Sequence, residues 1–470
     1  MSLNGVTFEK GLSFLNLGNE IDDTLPPFEE PPKHFGIVSS SSPLVCIMSK
    51  EESLENKKKA KETERKIERF TSQMFDYFFF LNSNFFKNYS REMSLIGNDL
   101  TKCYGYYKKV EVPDETTLVI HADFHGNLSS LQHYAAFVDQ MRACSSKIKP
   151  IILGDLVDRG TDSWATLLEA GTIPGVEIIR GNHENLAMNK VFLDPEDELC
   201  FSSDFFYTCI EKVYSLLPMG LFVSSGSAST APKEYLLCTH GAFETDSDFV
   251  SFLESSDNLS FFSKKTIELS SRIQELLQAL PPSFIALDVD PDLVLEYLEN
   301  RQYSSQEIRM ICAALQVDLF MRSPSFPGSS EIMQEGLQKD RNTGDHSSLC
   351  GRILPSTKDD FIGENGLHLS QRTVLAFLIL QSSEKVSLKG LLRGHEHVSE
   401  DFKCTLPAYT LSASEFPFLA LSEKTKDSVL VLKVKGPKIA QWESERWVLS
   451  EAIGSSGFVK DKSLNIGWLS

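Results

Sequence analysis

From Val110 onward, short apolar runs alternate with polar loops and amphipathic stretches. The runs Leu118 to Ile120, Ile151 to Leu153, Val176 to Ile179 and Tyr235 to Cys238 carry no polar alternation, which predicts central strands covered on both faces. Between the first two lies SSLQHYAAFVDQMRA, where Leu131, Tyr134, Ala135 and Val138 fall on one helical face. Alternating strands and helices imply an α/β fold, and in such sheets ligands gather beyond the carboxyl ends of the strands. Residues 249–320 break the pattern: KKTIELSSRIQELLQAL sets Ile267, Ile273, Leu276, Leu277 and Leu280 at helical spacing, and PDLVLEYL and SQEIRMICAALQVDLF continue in kind. This segment is expected to be a helical insertion. Segment 321–366 reads as loop, rich in Gly, Ser and Asp, and TLSAS and SVLVLKVKG further on read as β.

Upstream, residues 1–50 are Pro- and Ser-rich without a period and are expected to be poorly ordered. Residues 51–108 shift to alternating charge, EESLENKKKAKETERKIERF, and then to aromatic-rich sequence, expected to form a helical arm with acid–base pairs three or four apart. The expected organisation is therefore 1–50, the arm 51–108, a first core part 109–248, the insertion 249–320, and a second core part with a C-terminal β region 321–470.

Composition narrows the function. A net charge of −19 on 470 residues excludes a basic groove for nucleic acid. A phosphate substrate would have to be drawn by local cations and arginines against the global field. Nine cysteines, odd in number and without a CxxC pair, read as free buried thiols in a reducing compartment. The N-terminus lacks the order of a signal peptide, and no apolar stretch approaches the roughly 20 residues that span a bilayer. The expectation is a cytoplasmic protein; one exported by a bacterium into a host cell would look the same.

The chemistry lies where the apolar runs end. LVIHADFHGN carries Asp123 and His125; IILGDLVDRG carries Asp155, Asp158 and Arg159; EIIRGNHE carries Asn182 and His183; LLCTHG carries His240; LLRGHEH carries Arg393, His395 and His397. Phosphoester cleavage needs a nucleophilic oxygen at neutral pH, charge neutralisation on the phosphoryl oxygens and a proton for the leaving group. Two divalent ions about 3.5–4 Å apart supply the first and part of the second through a bridging hydroxide that attacks in line. Asp123 and His125 would reach the first ion, and Asp155, with two carboxylate oxygens, would bridge the pair. Asn182 would offer its carbonyl oxygen to the second ion, with His240 and His395 completing that ion's donors by imidazole nitrogen. Mixed oxygen and nitrogen ligands favour manganese first, then iron, zinc or magnesium. Arg159 would hold the phosphate with its planar fork. His183 would protonate the leaving oxygen, with Asp158 fixing its tautomer. His133 and His368 read as ordinary partly exposed histidines, and His121 as a core or supporting histidine.

Together the fragments resemble the phosphoprotein phosphatase branch of the calcineurin-like metallophosphoesterases, whose run is GDxHG, GDxVDRG, GNHE, HGG and R-[GA]-H. The likeness covers about Thr117 to Lys435, minus the insertion, and implies a central β-sandwich flanked by helices. It also implies Asp123, His125 and Asp155 on one metal, and Asp155, Asn182, His240 and His395 on the other. Arg159 would bind phosphate, and His183 with Asp158 would form the acid dyad. Departures are Ala122 and Ala242 for glycines, Phe416 for a tyrosine after the TLSAS turn, and His397, which offers the first metal a further ligand. Arg352, with Arg341 behind it, is the candidate for the family's second phosphate-binding arginine. The insertion resembles that of bacterial effector phosphatases of this fold, so serine/threonine and tyrosine substrates both stay open. The expected activity is a metal-dependent protein phosphatase acting on a phosphorylated protein. The alternatives are a dinucleoside polyphosphate hydrolase and a non-catalytic scaffold. The arm or insertion offers a surface for a partner protein.

Overall fold

The computed structural model describes residues 105–186, 188–189, 210, 213–226, 232–243, 249–261, 268–285, 291–322, 352–354, 361–363, 366–395, 402–405, 417–420, 428–450 and 457–460; in parts of these, Arg352 included, only the backbone is described. The expectations for 1–50 and most of the arm, and for Arg341, His397, TLSAS and Phe416, lie outside the described residues.

In chain order the described elements begin with β1 (Tyr106–Val112), β2 (Thr117–His121), α1 (Leu128–Cys144), β3 (Ile148–Ile152), α2 (Ser163–Thr172), β4 (Glu177–Ile178), β5 (Gly220–Ser225) and β6 (Lys233–Thr239). Then come α3 (Phe249–Glu254), β7 (Leu259–Phe261), α4 (Glu268–Leu277), α5 (Pro291–Asn300), α6 (Ser305–Arg322), β8 (Arg352–Leu354), β9 (Phe361–Gly363) and β10 (Gly366–Ser370). The chain continues through α7 (Gln371–Leu380), β11 (Val386–Arg393), β12 (Phe402–Thr405), β13 (Pro417–Ala420), β14 (Ser428–Lys433), β15 (Glu443–Ser450) and β16 (Gly457–Lys460).

Two large sheets result, a seven-stranded one in the order β12-β13-β11-β6-β5-β1-β7 and a six-stranded one in the order β16-β15-β14-β2-β3-β4. Their inner faces share one core. Val110, Val112, Leu221, Val223, Leu236, Cys238 and Leu392 from the first sheet meet Leu118, Ile120, Ile151, Leu430 and Leu432 from the second. The intervening residues point the other way, as the two-residue period of a strand requires. Phe222, Tyr235 and Leu237 face outward into a second core with Ile273, Leu277, Leu298, Ile311 and Phe377 of the helices. The seven-stranded sheet is thus covered on both faces, which is why the Tyr235–Cys238 run of its central strand β6 shows no polar alternation.

Four details differ from the expectation. On α1 the buried set is Ser130, Leu131, Tyr134, Phe137 and Val138, while Ala135 is only half-buried. Phe137 wins the inner place because it packs on Trp447 and Phe458, 5.2 and 5.3 Å between ring centres. The segment read as a helical insertion also contains β7, which extends the sheet by pairing antiparallel with β1. The segment read as loop contains β8 and β9, which join β10 in a three-stranded sheet. These are strands of three residues, too short to show a period. Of the described cysteines, Cys238 is buried and Cys312 partly so, but Cys144 is exposed at the end of α1, contrary to the expectation that all are buried. No described helix is long and apolar enough to cross a membrane.

Candidate active site

The parallel strands β2, β3 and β4 of the six-stranded sheet and β6 and β11 of the other all end at the same side of the sandwich. The loops leaving β2 and β3 stay in register past the strand ends: the His125 amide donates to the Asp155 carbonyl and the Gly126 amide to the Leu156 carbonyl, each at 2.8 Å. That ladder carries the Asp-x-His and Asp-x-x-Asp-Arg segments to one place. Of the eight described non-glycine residues at positive φ, six are Asp123, His125, Asp155, Asp158, Arg159 and His395. Each such residue is strained by about 1–2 kcal/mol, and strain of this kind gathers where side chains must be aimed rather than merely packed.

Two overlapping donor groups form, His125 with Asp155 and His183, and Asp155 with His240 and His395; within each, the ligand atoms lie within 4.8 Å of one another. Asp155 belongs to both. Its Oδ2 is 3.6 Å from His125 Nε2 and 3.1 Å from His240 Nε2, while its Oδ1 accepts the His183 amide at 3.0 Å. Asn182 Oδ1 lies 3.0 Å from His240 Nε2 and 2.9 Å from His395 Nδ1, and those two nitrogens are 3.3 Å apart. Asp123 closes the ring: its Oδ1 accepts the His395 amide at 3.1 Å and lies 3.7 Å from His240 Nδ1.

These residues fit a pair of cations. Asp123 Oδ2 is buried with no hydrogen-bond partner among the described residues, an arrangement that costs free energy unless something positive meets it. His240 Nδ1 lies 2.7 Å from the Leu153 carbonyl, which only accepts, so Nδ1 carries the hydrogen. Nε2 then presents its lone pair to the Asp155 and Asn182 oxygens, which are themselves acceptors. Such a cluster holds together only around a proton or a cation. The titration tendencies say the same. Burial would lower the His240 pKa, but Asp155, Asp123 and the Leu153 carbonyl prevail and raise it to about 9. Asp155 is held well below the carboxylate range: burial opposes this, and His240, His183 and His125 outweigh it. Burial pushes His125 down to about 4, against Asp155 and Asp123, and so keeps it a neutral donor.

Beside the donor groups lies the acid–base pair. His183 Nδ1 is 2.9 Å from Asp158 Oδ2, and Arg159 Nη2 is 3.2 Å from His183 Nε2. Burial would lower the His183 pKa, but the bond to Asp158 and the Asp155 charge raise it on balance. His121 stacks on Phe124 at 4.2 Å and its Nδ1 contacts the Ala122 carbonyl at 2.8 Å. Ala122 fits where a glycine was expected because Gly394 faces it: a Cβ on Gly394 would meet the Ala122 Cβ at 2.8 Å and Asp123 Oδ1 at 2.7 Å.

The structure therefore brings together Asp123, His125, Asp155, Asn182, His240 and His395, with His183, Asp158 and Arg159 beside them. Arg352 has its backbone in β8, paired with β10, and its side chain outside the description. Three residues with a part in the site carried no sequence-based assignment. Glu184 is buried and accepts the amides of Asp155, Leu156 and Gly181 at 2.8, 2.7 and 2.7 Å, so it ties the second and third ligand loops together. Burial and Asp155 raise its pKa to about 7, against the pull of those amides. An acid ending the GNHE run was the available signal. Asn189, buried against Asp158, and Tyr214, buried against Asn189, had no such signal.

Residues 116–323 match the calcineurin-like phosphoesterase family. The match takes in every site residue up to His240 and stops before His395. Among curated proteins the chain is similar to serine/threonine-protein phosphatase T of Schizosaccharomyces pombe, 28% identical over 181 residues, 37% of this chain; the match spans only 34% of that relative. Among solved structures it is similar to a protein serine/threonine phosphatase from Saccharomyces cerevisiae, with a TM-score of 0.39 and 13% identity over 74% of this chain and 82% of that one. A cold-active protein-tyrosine phosphatase of a Shewanella species gives a TM-score of 0.31 and 10% identity over 73% and 79%.

Proposed function

We propose that the protein is a metal-dependent protein phosphatase that hydrolyses phosphomonoesters directly. The observation that carries this reading is the pair of donor groups sharing Asp155, with a His–Asp pair and an arginine against them. Asp123, His125 and Asp155 would hold one divalent ion, and Asp155, Asn182, His240 and His395 the other, manganese being the first candidate. His397 is a further ligand candidate for the first. When bound, the ions would neutralise phosphoryl charge and supply a nucleophile at neutral pH.

The chain's own residues do the rest. Arg159 binds the phosphate oxygens through its planar fork, with Arg352 proposed as a second anchor. Asp158 accepts from His183 Nδ1, so Nε2 is the atom turned to the substrate. A guanidinium only donates, so in the resting arrangement Arg159 engages the Nε2 lone pair. Moving Arg159 onto a phosphate frees Nε2 to take up a proton and pass it to the leaving oxygen. The relatives named for protein dephosphorylation support a protein substrate.

The test is manganese-supported hydrolysis of matched phosphoserine, phosphothreonine and phosphotyrosine peptides beside diadenosine tetraphosphate. Asp155→Asn and His183→Asn should each lower kcat by at least about 100-fold, as loss of a metal bridge or a general acid does. Unchanged turnover in both variants sinks the assignment. Cleavage of the dinucleotide alone would move the protein to the polyphosphate hydrolases.

A further inference from the structure

The Asp158 carboxylate, which orients His183, is itself held by two residues outside every sequence motif. Asn189 Nδ2 lies 3.0 and 2.9 Å from Asp158 Oδ1 and Oδ2 and 2.8 Å from the His183 carbonyl. The Tyr214 hydroxyl lies 2.9 Å from Asn189 Oδ1. All four residues are buried.

The donor directions in this chain follow from chemistry alone. A carboxylate and a backbone carbonyl only accept, so the Asn189 atom facing them must be the amide nitrogen. Its oxygen then faces Tyr214, whose hydroxyl must donate. The order runs from Tyr214 to Asn189, and from Asn189 to both Asp158 and the backbone of His183. The His183 ring closes the loop by donating from Nδ1 to the same carboxylate. His183 is thereby gripped at its ring, through Asp158, and at its own carbonyl by one amide group. One Nδ2 hydrogen serves the carbonyl and the other is shared by the two carboxylate oxygens. Rotating the Asn189 amide by half a turn would set oxygen against oxygen in a dry site, which is unfavourable because both acceptors lose their donor away from water. Tyr214, on the helical turn 213–216, prevents that rotation.

We propose that Asn189 and Tyr214 are positioning residues for the leaving-group acid, locking the Asp158–His183 pair in one rotational state through hydrogen bonds to that pair and not to Asp123, His125, Asp155, Asn182, His240, His395 or the phosphate arginine. The proposal rests on the phosphomonoesterase reading above. It separates these two residues from ordinary packing residues through leaving-group chemistry. A misaligned acid slows expulsion of a poor leaving group such as phenolate, which needs a proton in the transition state. It hardly affects a good one such as 2,4-dinitrophenolate, which does not.

The experiment measures kcat for phenyl phosphate and for 2,4-dinitrophenyl phosphate, with manganese, in the full-length wild type and in Asn189→Ala and Tyr214→Phe. Bound manganese is determined in parallel. Asn189→Ala should lose about tenfold on phenyl phosphate and less than about twofold on the dinitrophenyl ester, the acid being misplaced rather than removed. Tyr214→Phe should show the same selectivity at about threefold, and both should keep the wild-type metal content. Equal losses on the two esters would make the residues structural only, and no loss on either would make them irrelevant; both results overturn the proposal. If Asn189→Ala does not fold, Tyr214→Phe, which removes a single oxygen atom, decides the matter alone. A wild type that hydrolyses neither ester sinks the phosphomonoesterase reading itself.

Discussion

Gly154 precedes Asp155, Gly181 precedes Asn182, and the two glycines touch back to back. A Cβ on Gly154 would sit 2.6 Å from the Gly181 nitrogen, 2.7 Å from its Cα and 3.1 Å from the Arg180 carbonyl carbon. All three are backbone atoms, so no side chain can swing aside. Ordinary contact begins near 3.4 Å, so Gly154→Ala must drive the two ligand loops apart by roughly 0.8 Å. The residue also lies at φ +87°, where a side chain adds about 1–2 kcal/mol of strain. With about 1–3 kcal/mol for overpacking, the variant should lose about 2–5 kcal/mol of stability. A native domain has only about 5–15 kcal/mol to lose. Separating Asp155 from Asn182 by most of an ångström should also weaken manganese binding and lower kcat by about 100-fold. Urea denaturation in chelator measures the first effect, and a manganese titration of activity the second. Gly175→Ala is the control, because φ there is +63° and nothing lies within 4 Å of the added Cβ. It carries the backbone strain without the collision and should cost about 1 kcal/mol at full activity. If Gly154→Ala is no worse than Gly175→Ala in either assay, the account of how the two loops are spaced is wrong.

Chelation followed by manganese should raise the melting temperature of the wild type, corresponding to about 2.7 kcal/mol at a hundredfold excess over Kd. Asp123→Asn should lose most of that shift, and an equal shift in the variant would remove Asp123 from the metal site. Away from the site, Glu177 of β4 accepts from Lys149 at 2.7 Å and from Lys108 of the opposite sheet at 2.9 Å. Burial works against ionisation of Glu177, but the two lysines lower its pKa on balance. The clamp's contribution is therefore full above the unfolded pKa of about 4.5 and is lost as pH falls through the lower folded value. Glu177→Gln should cost about 2–4 kcal/mol at pH 7, and the gap to wild type should close as the pH of denaturation is lowered. A gap that widens in acid would contradict the assignment.

Much of the site could be read in the chain because each donor ends an apolar run. A run of the Ile151–Leu153 type must be a strand covered on both faces, and the residue where it stops must lie at the strand's carboxyl end. Asp123, Asp155, Asn182, His240 and His395 were legible for that reason. The helix face on α1 was legible only in part, since Phe137 took the inner place through Trp447 and Phe458, over three hundred positions away. Strands β7, β8 and β9 were not legible because three residues show no period.

What the amino-acid order determined by itself was local: where strands end, which side chains stand there, and where glycine lets the backbone turn. Which ends meet is a different kind of information. Hydrophobic burial pressed the two sheets together, and parallel pairing within each placed five carboxyl ends on one side. Only that packing set the Asp155 oxygen 3.1 Å from His240 and left Asp123 with a buried oxygen unmatched among the described residues. Asn189 and Tyr214 belong wholly to the tertiary structure. Amide and hydroxyl side chains occur throughout any sequence, and what distinguishes these two is the hydrogen-bond relay from Tyr214 through Asn189 to a buried carboxylate, which only the folded chain assembles.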